Sequence, residues 1–300
     1  VIPSLAKKFD LGFFRDIPTP CSLPVSGGRS SALLAALVVE ANGGLPAGVI
    51  ANFQNTSLEL PETYGFLRRL DHELGLNLVY LEHNPMVPGN FEVVGDNSIK
   101  TEGEVFERLL SHELKRKDQT VGVRPLPNPA QRTCTANMKV KTAHRYFRSV
   151  LGWPTNYFTL LGYRWDEAGR VLRRERLQKR GNPEGGIGLF PLYAAQVIKN
   201  EVYFTWRDYM PFDLGIDSDW GNCDFCFMKS TWKIKEMMYM FPQRARRWIL
   251  WEERAAKSDR AGVFRKDRPS YRQLYEEVLA GNLEGHGVPG VTDRCGTCGD

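Results

Sequence analysis

Along this chain the apolar residues fall in short dense runs, and their spacing predicts strands alternating with helices over the first two thirds. "CSLPV" (21–25) reads as a short strand, and after six polar or glycine residues "ALLAALVVE" (32–40) reads as a deeply packed helix. "AGVIANF" (47–53) and "LNLVYLEH" (76–83) suit buried strands. Between them Pro61 stands as a first helical residue and Gly75 as a C-terminal cap. Strand, helix, strand, helix, strand in about 60 residues predicts βαβ units on a parallel sheet. Residues 102–117 read as an amphipathic surface helix, 122–131 as a proline-interrupted loop, 135–149 as a helix and 156–164 as a buried strand. Residues 165–188, polar and glycine-rich, read as a surface excursion or lid, 188–193 as a last short strand and 195–209 as a helix. Beyond about residue 210 the strand pattern stops. Two helices over 229–256, divided at Pro242, and one over 270–280 are expected there.

The predicted fold is therefore α/β: a five- or six-stranded, mainly parallel sheet with helices on both faces. Residues 1–210 would form that domain, and 211–300 a helical, cysteine-containing C-terminal region. At 300 residues and 42% hydrophobic content the chain can build a sizeable core. No apolar run is long enough for a bilayer span and no basic-then-apolar leader opens the chain, so a cytoplasmic protein without membrane contact is expected. It opens on Val1, which implies that a start methionine or a tag was removed. A formal charge of +5 does not by itself announce nucleic acid.

Candidate chemistry begins at Ser26, Gly27, Gly28, Arg29, Ser30 and Ser31, the turn between the first strand and the first helix. A glycine turn feeding a helix presents main-chain N–H groups that suit an anion. Neither the G-x-x-x-x-G-K-[ST] spacing nor the dinucleotide G-x-G-x-x-G is present. A bland reading, a packing turn, stands beside the anion site. Arg164 closes a predicted strand and heads a run, 163–180, of six arginines and one lysine against three acids. That run reads either as a solvated face or as a phosphate clamp, since guanidinium forks match phosphate oxygens. Arg132 and Lys139, which flank Cys134, would serve the same end. Arg173, Arg174, Arg176 and Arg180 could instead guide a nucleic-acid backbone, with Trp248 and Trp251 as possible aromatic partners.

Four of the six cysteines form two C-x-x-C pairs, Cys223/Cys226 and Cys295/Cys298, a spacing that points to metal or redox chemistry. Cys-only sites fit zinc and iron–sulfur alike, and buried free thiols are the alternative. Cys21, in a strand-like position, reads as packing.

The turn resembles the S-G-G-x-[DST]-S loop of the N-type ATP pyrophosphatases, the PP-loop superfamily. "NTSLELPET" (55–63), "RTCTANMK" (132–139), "LGYRWDEAGR" (161–170) and "GNCDFCFMKS" (221–230) are similar, in that order, to segments of its phosphoadenylyl-sulfate reductase-like branch. Arg29-Ser30 replaces the Lys-Asp common in pyrophosphatases, Ser57 stands where glycine is usual, and Pro24 shortens the first strand. The Glu-Cys-Gly-x-His nucleophile motif of true sulfonucleotide reductases is not seen.

The resemblance implies ATP, with magnesium held near Asp166 or Glu167, its phosphates on residues 26–31 and its adenine near Asn52, Asn55 and Thr56. Gly162, Arg132 and Arg164 would complete the nucleotide site, and Arg164, Lys139 and Asp166 would act in catalysis. It implies cleavage between the α- and β-phosphates to adenylate a substrate, for sulfur transfer or nucleic-acid modification. It leans towards a [4Fe–4S] cluster on Cys134, Cys223 and Cys226, with Cys298 or Cys295 as fourth ligand, zinc being the alternative. A tRNA or DNA substrate, a sulfur donor or a partner protein would then be expected. Two other readings stay open: a sulfonucleotide reductase-like enzyme, and a zinc-stabilised nucleic-acid-binding protein with a degenerate loop.

Overall fold

A computed structural model describes residues 2–111, 114–115, 121–122, 125–181, 185–217, 220–257 and 262–283. One six-stranded sheet organises it. In chain order its strands are β1 (Cys21–Pro24), β2 (Val49–Asn55), β3 (Val79–His83) and β4 (Phe91–Val94). Two-residue β5 (Leu114–Lys115) and β6 (Val121–Gly122) form a separate antiparallel pair, and β7 (Phe158–Leu160) and β8 (Ile187–Leu189) complete the main sheet. The order across it is β4-β3-β2-β1-β7-β8, all pairs parallel except β3 with β4. The fold is α/β as predicted. From β1 the sheet grows first towards β2 and later towards β7, so the loops leaving β1 and β7 diverge at a topological switch point, where such sheets bind ligands.

Successive side chains of a strand point to opposite faces, and the two faces bury different partners. Val49, Ala51, Phe53 and Tyr80 face a core with α1 (Arg29–Asn42) and α2 (Pro61–Leu74), while Ile50, Val79 and Leu81 meet Tyr146, Phe147 and Tyr157 on the other side. Helix α1 is buried from Arg29 to Val38, as its Ala/Leu/Val composition demands. Pro61 opens α2, and Gly75 ends it with φ +61°, a left-handed cap that glycine adopts without strain.

Four expectations are corrected. Helix α3 (Glu104–Ser111) stops well short of residue 117, because Leu114–Lys115 pairs as a strand. The buried strand predicted at 156–164 is hydrogen-bonded as a strand only from Phe158 to Leu160. A π-helical turn at 135–141 and α4 (Thr142–Ser149) realise the predicted helix. The supposed lid contains α5 (Ala168–Lys179), whose Arg, Leu, Glu, Gln and Lys are strong helix formers although only Val171 is buried. The last strand ends at Leu189, since Pro191 opens the short α6 (Pro191–Ala194). Then come α7 (Lys199–Phe204), α8 (Thr231–Met240), α9 (Pro242–Ala256) and α10 (Tyr271–Leu279), with the break at Pro242 as predicted.

The C-terminal helices do not form a separate layer. Phe225, Phe227, Ile234, Trp248, Phe264 and Tyr271 share one core with Leu58, Leu60, Phe106 and Met138 from the loops and helices that follow the strands. This second core crosses residue 210, and it closes over one end of the sheet. Trp248 and Trp251, expected as possible nucleic-acid partners, are buried in it at 1% and 4% exposure, so neither offers a ring to a base. No helix of the described residues is long and apolar enough to cross a membrane. Trp248→Ala should destabilise the protein by about 3–5 kcal/mol in denaturant titration, a cavity cost added to a lost indole hydrogen bond. A change under about 1 kcal/mol would mean that the second core contributes little.

Candidate functional site

At the switch point β1 gives way to the glycine turn. The Val25 amide still bonds the Asn52 carbonyl at 2.8 Å, and the chain then turns through Gly27 at φ +81°. A Cβ on Gly27 would lie 2.3 Å from Thr63 Cγ2, so both backbone angle and space demand glycine. Gly28 is the extended N-cap of α1, and the first bond of that helix runs from the Ala32 amide to its carbonyl, 3.1 Å. The amides just before Ala32 have no helical carbonyl one turn behind them, which makes this end of α1 electropositive. The Ser31 hydroxyl accepts from the Ser26 amide, donates to the Gly28 carbonyl and meets the Ser26 hydroxyl, each at 3.0 Å. The loop leaving β7 closes in from the other side. A Cβ on Gly162 would come within 3.2 Å of the Ser31 nitrogen and 3.3 Å of the Ser30 carbonyl carbon.

Beside this junction opens a cavity of about 1070 Å³, lined by Ser26, Ser31, Thr56, Gly162 and Arg164 among others. Eight Arg and Lys side chains reach its walls against two carboxylates, Asp166 and Glu167. That surplus of six exceeds the +5 of the whole chain, so the rest of the protein is close to neutral. Positive charge is concentrated here.

Arg164 is 5% exposed. Its Nη1 donates to the Ser30 hydroxyl at 2.9 Å and its Nε to Asp166 at 3.1 Å, and Glu167 lies 3.6 Å from the guanidinium. The arginine thus joins the turn to the β7 loop. The two acids expected near magnesium are held by arginines, Asp166 by Arg164 and Glu167 by Arg164 and Arg170.

Other expected residues play framework parts. The Arg29 guanidinium turns to Asp213, with bonds of 2.7 and 2.6 Å, and to the Ile216 carbonyl at 2.9 Å. Its carbonyl receives Trp206 Nε1 at 2.9 Å. Only the main chain of Arg29 belongs to the turn. Asn52 is fully buried and bonds Ser22, the Ile50 carbonyl and Gln54. Asn55, also fully buried, bonds Glu82, the Lys100 carbonyl, the Ser57 amide and Tyr64. Of the three residues expected near adenine, only Thr56 lines the cavity.

Cys134, Cys223 and Cys226 also line the cavity, with Lys139 near the thiols and Arg132 near Cys134. Thr56 Oγ1 lies 3.3 Å from Cys223 Sγ and donates to Glu59 at 2.7 Å. Glu59, 1% exposed, was not anticipated; it also accepts from the Thr56 and Leu58 amides at 3.3 and 3.2 Å and from Tyr64 at 3.2 Å. Burial pushes the Cys223 thiol up to about 12, with the Glu59 charge adding to the effect. Burial also raises Cys134, opposed by Lys139 and Arg132, and takes the packing residue Cys21 up to about 12.

The cysteine loop is firmly fixed. Asn222 and Phe225 hold left-handed φ of +61° and +41°. Between the cysteines, buried Asp224 accepts Trp248 Nε1 at 2.9 Å and Arg244 Nε at 2.7 Å, and its amide bonds the Leu58 carbonyl at 2.6 Å. Among the described residues no three His, Cys, Asp or Glu side chains converge closely enough to hold a metal. Thiol chemistry suits the expected cluster or zinc, but this arrangement of Cys134, Cys223 and Cys226 does not fit either as it stands. Cys295 and the expected fourth ligand Cys298 lie outside the described residues.

Sequence reading singled out the arginine run but missed that it lies on a helix, α5. Arg170, Arg173 and Arg174 line the cavity at i, i+3 and i+4, and Lys199 and Lys233 join them from α7 and α8. An arginine period could have revealed this face had 165–188 been read as helical.

No model of a known protein family matches the chain. The uncharacterized nin region protein ORF290 of Escherichia phage lambda is 30% identical over 215 residues, 70% of this chain. The chain spans 66% of that relative's length.

Gly27→Ala should cost at least about 1 kcal/mol in unfolding titrations through its positive φ alone. Adding Thr63→Ser, which deletes the clashing methyl, should return only part of the loss. Full recovery would mean that backbone strain is unimportant at this turn. In a second measurement, Cys223 should react slowly with a thiol reagent at pH 8 in the folded protein and quickly once unfolded. Because its folded pKa lies above the ordinary 9.0, the unfolded state loses this proton first. Its contribution to stability should be complete below pH 9 and should fall as pH rises from 9 towards 12. Rapid labelling of native Cys223 at pH 8 would contradict this.

Proposed function

We propose that this chain is a PP-loop enzyme of the phosphoadenylyl-sulfate reductase-like branch, which binds ATP at the switch point and adenylates a substrate. One observation carries the reading: the glycine turn and Gly162 meet beside a cavity that gathers the chain's positive charge. In this reading the phosphates lie against the turn, with Ser26, Ser31 and the start of α1 as donors. Arg164, already on Ser30, stands ready to stabilise charge that develops on the α-phosphate. A substrate oxygen attacks the α-phosphorus, the bond to the bridging oxygen breaks, and pyrophosphate leaves with that electron pair. A second nucleophile, sulfur in the favoured version, then displaces AMP. Magnesium, when bound with the triphosphate, would screen its charge. Because Asp166 and Glu167 are committed to arginines, they shape Arg164 more directly than they offer free ligands to an ion.

Lys139 and Arg132 stand with the thiols, so their part is to hold the incoming reactant. Cys134, Cys223 and Cys226 serve here as thiols, and no step depends on a metal. A [4Fe–4S] cluster, or zinc, remains a proposal that needs the thiols to draw together. The second reading, reduction of a sulfonucleotide, is favoured by one feature, three cysteines on the wall of a cation-lined cavity.

With ATP and acceptor present, the protein should release pyrophosphate. Arg164→Ala should weaken ATP binding about tenfold or more, the loss of a charge-assisted bond, and Arg174→Ala should weaken it much less. Equal losses would remove Arg164 from the nucleotide site. Reduction of adenylyl sulfate without ATP would select the reductase instead. Iron and acid-labile sulfide in anaerobically purified protein would establish the cluster, whereas stoichiometric zinc would replace it.

A further inference from the structure

The cavity carries more positive charge than a magnesium-bound triphosphate would balance, and the cations are sorted by place. Arg164 belongs to the glycine turn, and Arg132 and Lys139 to the thiol wall. Arg170, Arg173 and Arg174 form a third group, a row along one face of α5. Aromatic rings accompany that row. Tyr163 lines the cavity, stacks on Phe190 with centroids 5.7 Å apart, and carries the Arg170 guanidinium 4.1 Å above its ring. Trp165 sits at the start of the same segment, 44% exposed and 4.9 Å from the Tyr193 ring. Its amide bonds the Val197 carbonyl, two residues before the cavity-lining Lys199. This exposed indole packs on Tyr193 and lies in the chain between the cavity-lining Arg164 and Asp166.

We infer that the arginine face of α5 and Trp165 form a track for a single-stranded nucleic acid, which leads its phosphodiester backbone into the cavity. A basic groove that follows the backbone, with aromatic rings on which unpaired bases stack, is the physical recipe for sequence-tolerant single-strand binding. A compact phosphorylated metabolite needs one cluster of donors, not a row with an exposed ring at its end. A duplex hides its base faces from Trp165. If the proposed adenylation is right, the acceptor oxygen belongs to this strand; the track itself stands on the geometry alone.

The test uses the full chain and fluorescein-labelled single strands of about 15 nucleotides, one RNA and one DNA of the same mixed sequence, with the DNA duplex for comparison. Binding is followed by anisotropy across a salt series. A single strand should bind more tightly than the duplex, and the preferred sugar identifies its source. Arg173→Ala should weaken binding and flatten the salt slope by about one. Trp165→Ala should weaken it about fivefold or more with the slope kept. Arg272→Ala, an exposed α10 residue paired with Glu253, is the charge-matched control and should change nothing. Equal losses in Arg173→Ala and Arg272→Ala, an unaffected Trp165→Ala, or equal affinity for duplex would overturn the track. A parallel ATP titration separates the two ideas: strand binding without ATP binding sinks the nucleotide reading alone, and the reverse sinks the track alone. Thermal melts of each variant identify any loss due to misfolding.

Discussion

The site depends on the close approach of two backbones at the head of α1. Gly162 lies against the Ser30–Ser31 main chain, and Gly27 lies against Thr63. A Cβ at Gly27 would meet Thr63 Cγ2 at 2.3 Å, and one at Gly162 would press on the Ser30–Ser31 backbone at 3.2–3.3 Å. That crowding brings the loops from β1 and β7 together where the sheet changes direction, beside the cavity. Arg164 and the Ser26–Ser31 hydroxyl pair then lock the junction with hydrogen bonds.

The thiol wall has a different origin. Its thiols come from the start of a π-helical turn and from a loop that the second core grips on both sides. Asp224 is buried between the cysteines, and its charge is costly there unless Trp248 and Arg244 answer it. Burial still drives its pKa upward, against the pull of Arg244. Apolar packing and one satisfied carboxylate thus fix the Cys223–Cys226 loop, which reaches the sheet through Thr56 at the end of β2.

Much of the framework was legible because it is written in local rules. Pro61 and Gly75 bound α2, Pro242 divides α8 from α9, and the Ala/Leu/Val block is α1, all by propensity and capping. Ser57 shows a subtler legibility. The resemblance places glycine there, and the structure holds Ser57 at φ +59°, with its hydroxyl accepting the Val105 amide at 2.9 Å. The site was read less completely, since sequence does not reveal which long-range partner claims a side chain. Arg29 and Asn55 were sensible candidates, yet Asp213 and Glu82 occupy them. The helix of α5 was missed, though its arginines were noted, because a helix with a polar surface carries little hydrophobic period.

The Arg29–Asp213 pair joins positions 184 residues apart, with Trp206 close behind it. During synthesis, at about 5–20 residues per second, Asp213 leaves the ribosome on the order of ten to forty seconds after Arg29. For that interval the nascent turn has its glycines but not its clasp. The turn is therefore encoded early and finished late, its closing ion pair waiting on a residue 184 positions further along the chain.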